Sequence, residues 1–98
     1  MSLAGGTEGN RIIITVLGKD KVGIIAGVAQ VLSENNINIL DISQTILQEY
    51  LVMILIADIR ESTATLSELK ERLVVRGKEI GVRIDAQHED IFNFMHRI

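Results

Sequence analysis

The stretch "LGKDKVGIIAGVAQVLSENNINILDI", Leu17–Ile42, reads as strand, loop, helix and strand. Apolar residues at Val22, Ile25, Ala26, Ala29 and Leu32 are spaced three and four apart, so the spacing predicts a helix over 22–35 with that face inward. Asp20 stands where an N-cap or the residue just before it belongs. Glu34–Asn36 ends the helix, because Asn tolerates a left-handed C-terminal position. Upstream, "RIIITVLG" (Arg11–Gly18) is a β-branched strand closed by glycine. Downstream, Ile37–Leu47 is a second strand, Gln48–Tyr50 a tight turn, and Leu51–Ile59 a third strand antiparallel to the second.

Ser62 or Thr63 is the expected cap of a second helix. Its inner face carries Leu66, Leu69, Leu73 and Ile80, its outer face Glu68, Lys70, Glu71 and Arg72, and Gly77 or Gly81 marks its end. Val82–Gln87 alternates strictly, with Val82, Ile84 and Ala86 on one side. A short amphipathic tail, Asp90–Ile98, follows. The order β-α-β-β-α-β predicts an α+β, ferredoxin-like two-layer sandwich: a four-stranded antiparallel sheet with two helices on one face and a short C-terminal helical segment. The first and third strands should be central. The domain spans 11–90. Residues 1–10 read as a disordered or expression-derived leader, and 91–98 as a tail covering the sheet or a partner subunit.

One strand breaks the pattern of a half-open sheet. "LVMILIA" (Leu51–Ala57) is apolar at every position, and Ile13 and Leu17 lie opposite Ile12, Ile14 and Val16. Such a face needs cover. The tail (Ile91, Phe92, Phe94, Met95), a second subunit, or both supply it, and the expected state is a homodimer or a tetramer of dimers. Asp41, read as sharing a face with Ile39 and Ser43, is an edge or interface residue.

Composition excludes several functions. The chain has 98 residues and no cysteine, so thiol catalysis, iron–sulfur ligation and cysteine-based zinc sites are out. A net charge of -3 disfavours nucleic acid and anionic membranes. No apolar run reaches membrane-spanning length, and no signal peptide opens the chain, which points to the cytoplasm. Its central strands carry no interior aromatics on which RNA bases would stack. His88 and His96, with Glu89 and Asp90, meet no metal-ligand spacing. No nucleophile–base set or cofactor motif is present, so no enzyme activity, metal or cofactor is expected.

The loop remains. "GKDKVG" has the glycine spacing of a phosphate loop, but Ile24 and Ile25 occupy the Lys and Ser/Thr positions. Two readings stand. Either Asp20 caps the helix and Gly23 permits close packing, or the helix N-terminus takes a carboxylate while Asp20 or Asn38 takes an ammonium group.

The segment "GKDKVGIIAGVAQVLSENNINILDISQ" resembles the ACT domain, the regulatory module of amino-acid metabolism, in its G-x-D-x-x-G-[IV] turn and the N-I-N-I opening the second strand. The tail "HEDIFNFMHRI" resembles short, free-standing bacterial and archaeal ACT proteins, UPF0237-like. The resemblance implies a pairing module with an amino acid or similar zwitterion bound between the first loop and a neighbouring subunit. The implied ligand residues are Asp20, Val22, Gly23, Ile24 and Asn38, and the implied dimer residues Ile39, Asp41, Phe92 and Met95. Three departures stand out. In the serine-regulated dehydrogenase members that this segment resembles, an Asn stands at the position of Asp20, a Pro at Val22 and a ligand-binding His at Gly18, so serine specificity does not carry over. The alternative is a ligand-free module that docks on a separate protein.

Overall fold

The computed structural model describes residues 10–95, and for Met95 the backbone alone. The leader reading of residues 1–9 and the metal question at His96 lie outside the described residues. The elements are β1 (Arg11–Lys19), α1 (Ile24–Glu34), β2 (Asn38–Leu47), β3 (Tyr50–Asp58), α2 (Leu66–Ile80), β4 (Arg83–His88) and α3 (Glu89–Met95). Every strand pair is antiparallel and the sheet order is β2-β3-β1-β4, so the ferredoxin-like order with β1 and β3 central is as read from sequence.

Strand alternation builds the core. Ile12, Ile14 and Val16 of β1, with Leu51, Met53, Leu55 and Ala57 of β3, are buried against α1 and α2. Ile84 and Ala86 of β4 join them. From α2 come Leu69 and Leu73, with Leu66 and Ile80 at the margin. Two arginines tie the helices together: Arg76 Nη1 donates to the Gly27 carbonyl at 3.0 Å, and Arg72 to the side chain of buried Asn35.

The α1 register differs from the sequence reading. Its buried residues are Ile24, Val28, Val31 and Leu32. Val22 lies outside the helix, fully exposed, and Ile25 and Ala26 are exposed. The segment is apolar enough for either face, and the start point decides. Gly23, at φ 96°, is the N-cap, so the helix begins two residues later than spacing alone implied. Asp20 is not the cap. At the other end Asn36 takes φ 58°, as its type allows.

Helix α2 is capped by Thr65, not by Ser62 or Thr63. The Thr65 Oγ1 accepts the Glu68 N–H at 3.1 Å, while the Glu68 carboxylate accepts the Thr65 N–H at 2.9 Å. Ser62 instead closes a local turn with Ala64. The Thr65 backbone and hydroxyl hydrogen bonds hold the Glu68 carboxyl below its ordinary range. A depressed folded-state pKa adds stability that is present above the ordinary carboxylate range and lost as pH falls through the folded value. Thr65→Ala is expected to cost about 1 kcal/mol by urea melt at neutral pH, with a smaller difference from wild type in acid. At the far end Gly81, φ 78°, is the C-cap.

The β2–β3 pairing contains a bulge. Ile39 faces Ala57 and Asp41 faces Ile56, leaving Leu40 unpaired. One extra residue flips the side-chain parity. Ile39 therefore packs toward the core, while Asp41 joins Ser43 on the open face, opposite Ile54 and Ile56. Ile39 and Asp41 do not share a face, contrary to the sequence reading.

The open face is partly covered. Helix α3 packs on β1 and β4, held by Glu89, whose carboxylate meets Arg11 Nε and Nη2 at 3.2 and 3.0 Å. Ile13 is buried there despite facing away from α1 and α2. Leu17, Val52 and Ile54 stay exposed, and on α3 Phe92 is half-buried while Phe94 is 77 % exposed.

Candidate functional site

The β1–α1 loop is fixed at both sides. Asp20 N–H donates to the Glu49 carbonyl at 2.8 Å, tying the loop to the β2–β3 turn. A Cβ at Gly18 would stand 2.8 Å from Val82 Cγ1 and 3.2 Å from Val82 Cα, so a side chain at position 18 requires Val82 to shift. Gly23 is the opposite case. A Cβ there would meet nothing within 4 Å, so the space before the backbone is open.

Helix α1 starts with no side-chain cap and no acidic residue in its first turn. Its first N–H groups have no side-chain acceptor and carry the positive end of the helix dipole. The Asp20 carboxylate, exposed beside it, has no hydrogen-bond or ion-pair partner among the described residues. Lys21 does not compete for it. Its Nζ lies 2.8 Å from where a Gly81 Cβ would stand, at the C-terminus of α2, where a cation is favoured. Lys19 lies 3.9 Å from Glu49. The loop thus offers one carboxylate and one uncapped helix end, side by side.

A cavity of about 460 Å³ opens between this loop and β2. Asp20, Lys21, Gly23 and Ile24 line it, with Ile25, Ala26, Gln44, Ile46 and Leu51. Three of the five expected ligand residues therefore meet. Val22 is not among the lining residues. Asn38 is at the other end of the sheet: it pairs with Asp58, which pairs with Arg11, whereas the loop follows Lys19, which pairs with Tyr50. Eight residue steps of strand separate the two ends, roughly 26 Å. Asn38 lines a second cavity, of about 590 Å³, with Ser33, Asn36, Asp58, Arg60 and Glu61. Arg60 donates to Asp58 at 2.9 Å there.

Sequence reasoning missed Gln44 and Ile46, which reach the loop cavity only because β2 runs back past α1. Ile25, Ala26 and Ala29, assigned to the core by spacing, line the two cavities instead. Among the described residues no three His, Asp or Glu side chains are placed to hold a metal. His88 Nδ1 accepts the Asp90 N–H at 3.2 Å. No helix of the described residues is long and apolar enough to cross a membrane.

Residues 10–87 match the ACT domain family. The chain is similar to the UPF0237 protein of Methanocaldococcus jannaschii, 48% identical over 89 residues, covering 91% of this chain and 99% of that one. Among solved structures it is similar to an ACT domain protein from Streptococcus pneumoniae, with TM-score 0.76 and 38% identity over 87% of this chain and 96% of that one. The ligand-free regulatory subunit of aspartate kinase from Thermus thermophilus shares the fold at TM-score 0.65 and 24% identity, over 84% of this chain and 53% of that one.

Proposed function

The chain belongs to the ACT domain family, and from that premise we propose that it is a regulatory module that senses an amino acid or similar zwitterion as a homodimer. The observation that carries this reading is the loop itself: an uncapped α1 N-terminus behind Gly23, beside the carboxylate of Asp20, which has no partner among the described residues. A ligand carboxylate suits the first and an ammonium group the second.

Asp20 and Asn38 are too far apart to hold one small molecule within a single chain. Two copies bring them together. The edges of the sheet differ: β4 has six residues, carries Arg83 and Asp85, and runs into α3. Strand β2 has ten residues, with Asp41 as its one charge and Leu40, Ile42, Ile46 and Leu47 exposed. A long apolar edge of this kind invites a partner strand. A two-fold axis normal to the sheet pairs β2 with its copy antiparallel. The start of one β2, with Asn38, then lies beside the end of the other, where the loop with Asp20 sits. Asp41 moderates this edge, since its carboxylate already accepts the Ile42 N–H at 2.9 Å.

Ligand binding at the junction would favour one dimer arrangement by its differential affinity, and that shift is the regulatory signal. A thermal-shift titration with the twenty amino acids tests the reading. At about 100 times its dissociation constant a ligand adds roughly 2.7 kcal/mol, which raises Tm by roughly 10 °C or more in a domain this small. Asp20→Ala is expected to abolish that shift while the dimer persists. A second reading rests on the exposed Leu17, Val52, Ile54 and Phe94: a ligand-free module that docks on a separate protein through its open face. It expects no amino-acid response and no effect of Asp20→Ala.

A further inference from the structure

The cavity beside the loop is walled by Ile24, Ile25, Ala26, Ile46 and Leu51. Its volume, about 460 Å³, is within the usual range of roughly 300–1,000 Å³ for small-molecule sites. Ile25 and Ile46 leave 42 % and 54 % of their surface exposed, although each is large and apolar. The charged recognition elements sit at the loop side. Asp20 and the α1 N-terminus account for an ammonium and a carboxylate. Beyond them the wall of this chain presents Lys21, whose ammonium end lies toward Gly81, and one neutral polar side chain, Gln44.

From this separation of chemistry we infer that the ligand is an L-amino acid with an apolar side chain, of the size of leucine or methionine. The inference rests on the sensor reading given above and adds the ligand class to it. The ammonium and carboxylate are held at the loop, and the side chain lies between Ile25 and Ile46. Against the two isoleucine side chains a hydroxyl or a second carboxylate loses water without gaining a partner. An aliphatic chain removes both isoleucine surfaces from water. Each buried methylene is worth about fourfold in affinity, so leucine gains up to roughly fiftyfold over alanine. Nothing in the loop distinguishes the two, since the charged ends are identical.

Calorimetric titration of the full-length protein with L-leucine, L-alanine, L-serine, L-glutamate and D-leucine tests the class. L-leucine is expected to bind at least about tenfold more tightly than L-alanine, and more tightly than L-serine, L-glutamate or D-leucine. In Ile46→Asn, and separately in Ile25→Ser, the leucine-to-alanine ratio is expected to fall to within about threefold of unity. Serine or glutamate binding more tightly than leucine would overturn the apolar class and leave the sensor reading standing. A leucine preference unchanged in both variants would place the side chain elsewhere and overturn the inference in the same way. No heat with any of the amino acids would overturn both readings together.

Discussion

On the proposed pairing of two β2 edges, Ile42→Asp is expected to leave the protein monomeric. Ile42 stands in mid-strand on β2 and leaves 40 % of its surface exposed in a single chain, surface that a paired strand would cover. Near the two-fold axis of paired β2 edges the change acts twice. It removes apolar burial of about 1.5–3 kcal/mol per side chain and sets two like charges together, which costs several kcal/mol more. The dissociation constant should rise at least about a hundredfold, read by sedimentation equilibrium. Ligand response should vanish with it, because Asp20 and Asn38 then never meet. Val52→Asp is the control. Val52 is exposed on the open face, opposite Thr45, away from the α1 side of the sheet. Loss of the dimer in Val52→Asp with retention in Ile42→Asp would assign association to the open face instead.

Gly77→Val is expected to destabilise the fold by about 3 kcal/mol or more, a fall in Tm of at least roughly 12 °C. Two effects oppose each other. Glycine inside a helix is about 1 kcal/mol worse than alanine, so replacement alone should help. But a Cβ at position 77 would stand 2.6 Å from the Val82 carbonyl oxygen, and 3.3 Å from Ile84. The first contact is to backbone, which cannot rotate away. Separating α2 from β4 would expose Leu69 and Leu73, so the clash wins over the propensity. Gly77→Ala should show the same sign with a smaller magnitude. An unchanged Tm in either variant would mean that α2 and β4 part more easily than this packing implies.

Much of the fold was legible in the sequence because each element carries its own period. Strict alternation in Val82–Gln87, the i, i+3, i+4 leucines of α2 and the short polar turn at Gln48 each have one reading. The failures came where local pattern admits two answers. Ile24–Leu32 is apolar on nearly every side, and only the left-handed backbone at Gly23 sets which face turns inward. The bulge at Leu40 has no mark in the residues themselves, since it exists only in the register against β3. The capping box was visible as Thr65-Leu66-Ser67-Glu68, but two hydroxyl residues just upstream offered competing starts. The site divides in the same way. Asp20 and Gly23 stand close in sequence and are close in space. Asn38 opens the next strand, but β1 and β2 run in the same direction, so the start of β2 lies at the far end of the sheet from the end of β1. Gln44 and Ile46 carry no sequence signal for the loop, because only the return of β2 past α1 brings them there.

A site shared between two chains makes a demand that no single-chain site makes. Asp20→Ala and Asn38→Ala should each abolish amino-acid binding alone. Mixed in equal amounts and allowed to exchange subunits, they should bind again. Half the dimers are then hybrids, and each hybrid has one junction with intact Asp20 from one chain and intact Asn38 from the other. The recovered capacity should be about one quarter of the wild-type number of sites, at wild-type affinity, by calorimetric titration of the mixture. No recovery in a mixture shown by native mass spectrometry to contain hybrids, or full binding by Asn38→Ala alone, would contradict the shared site.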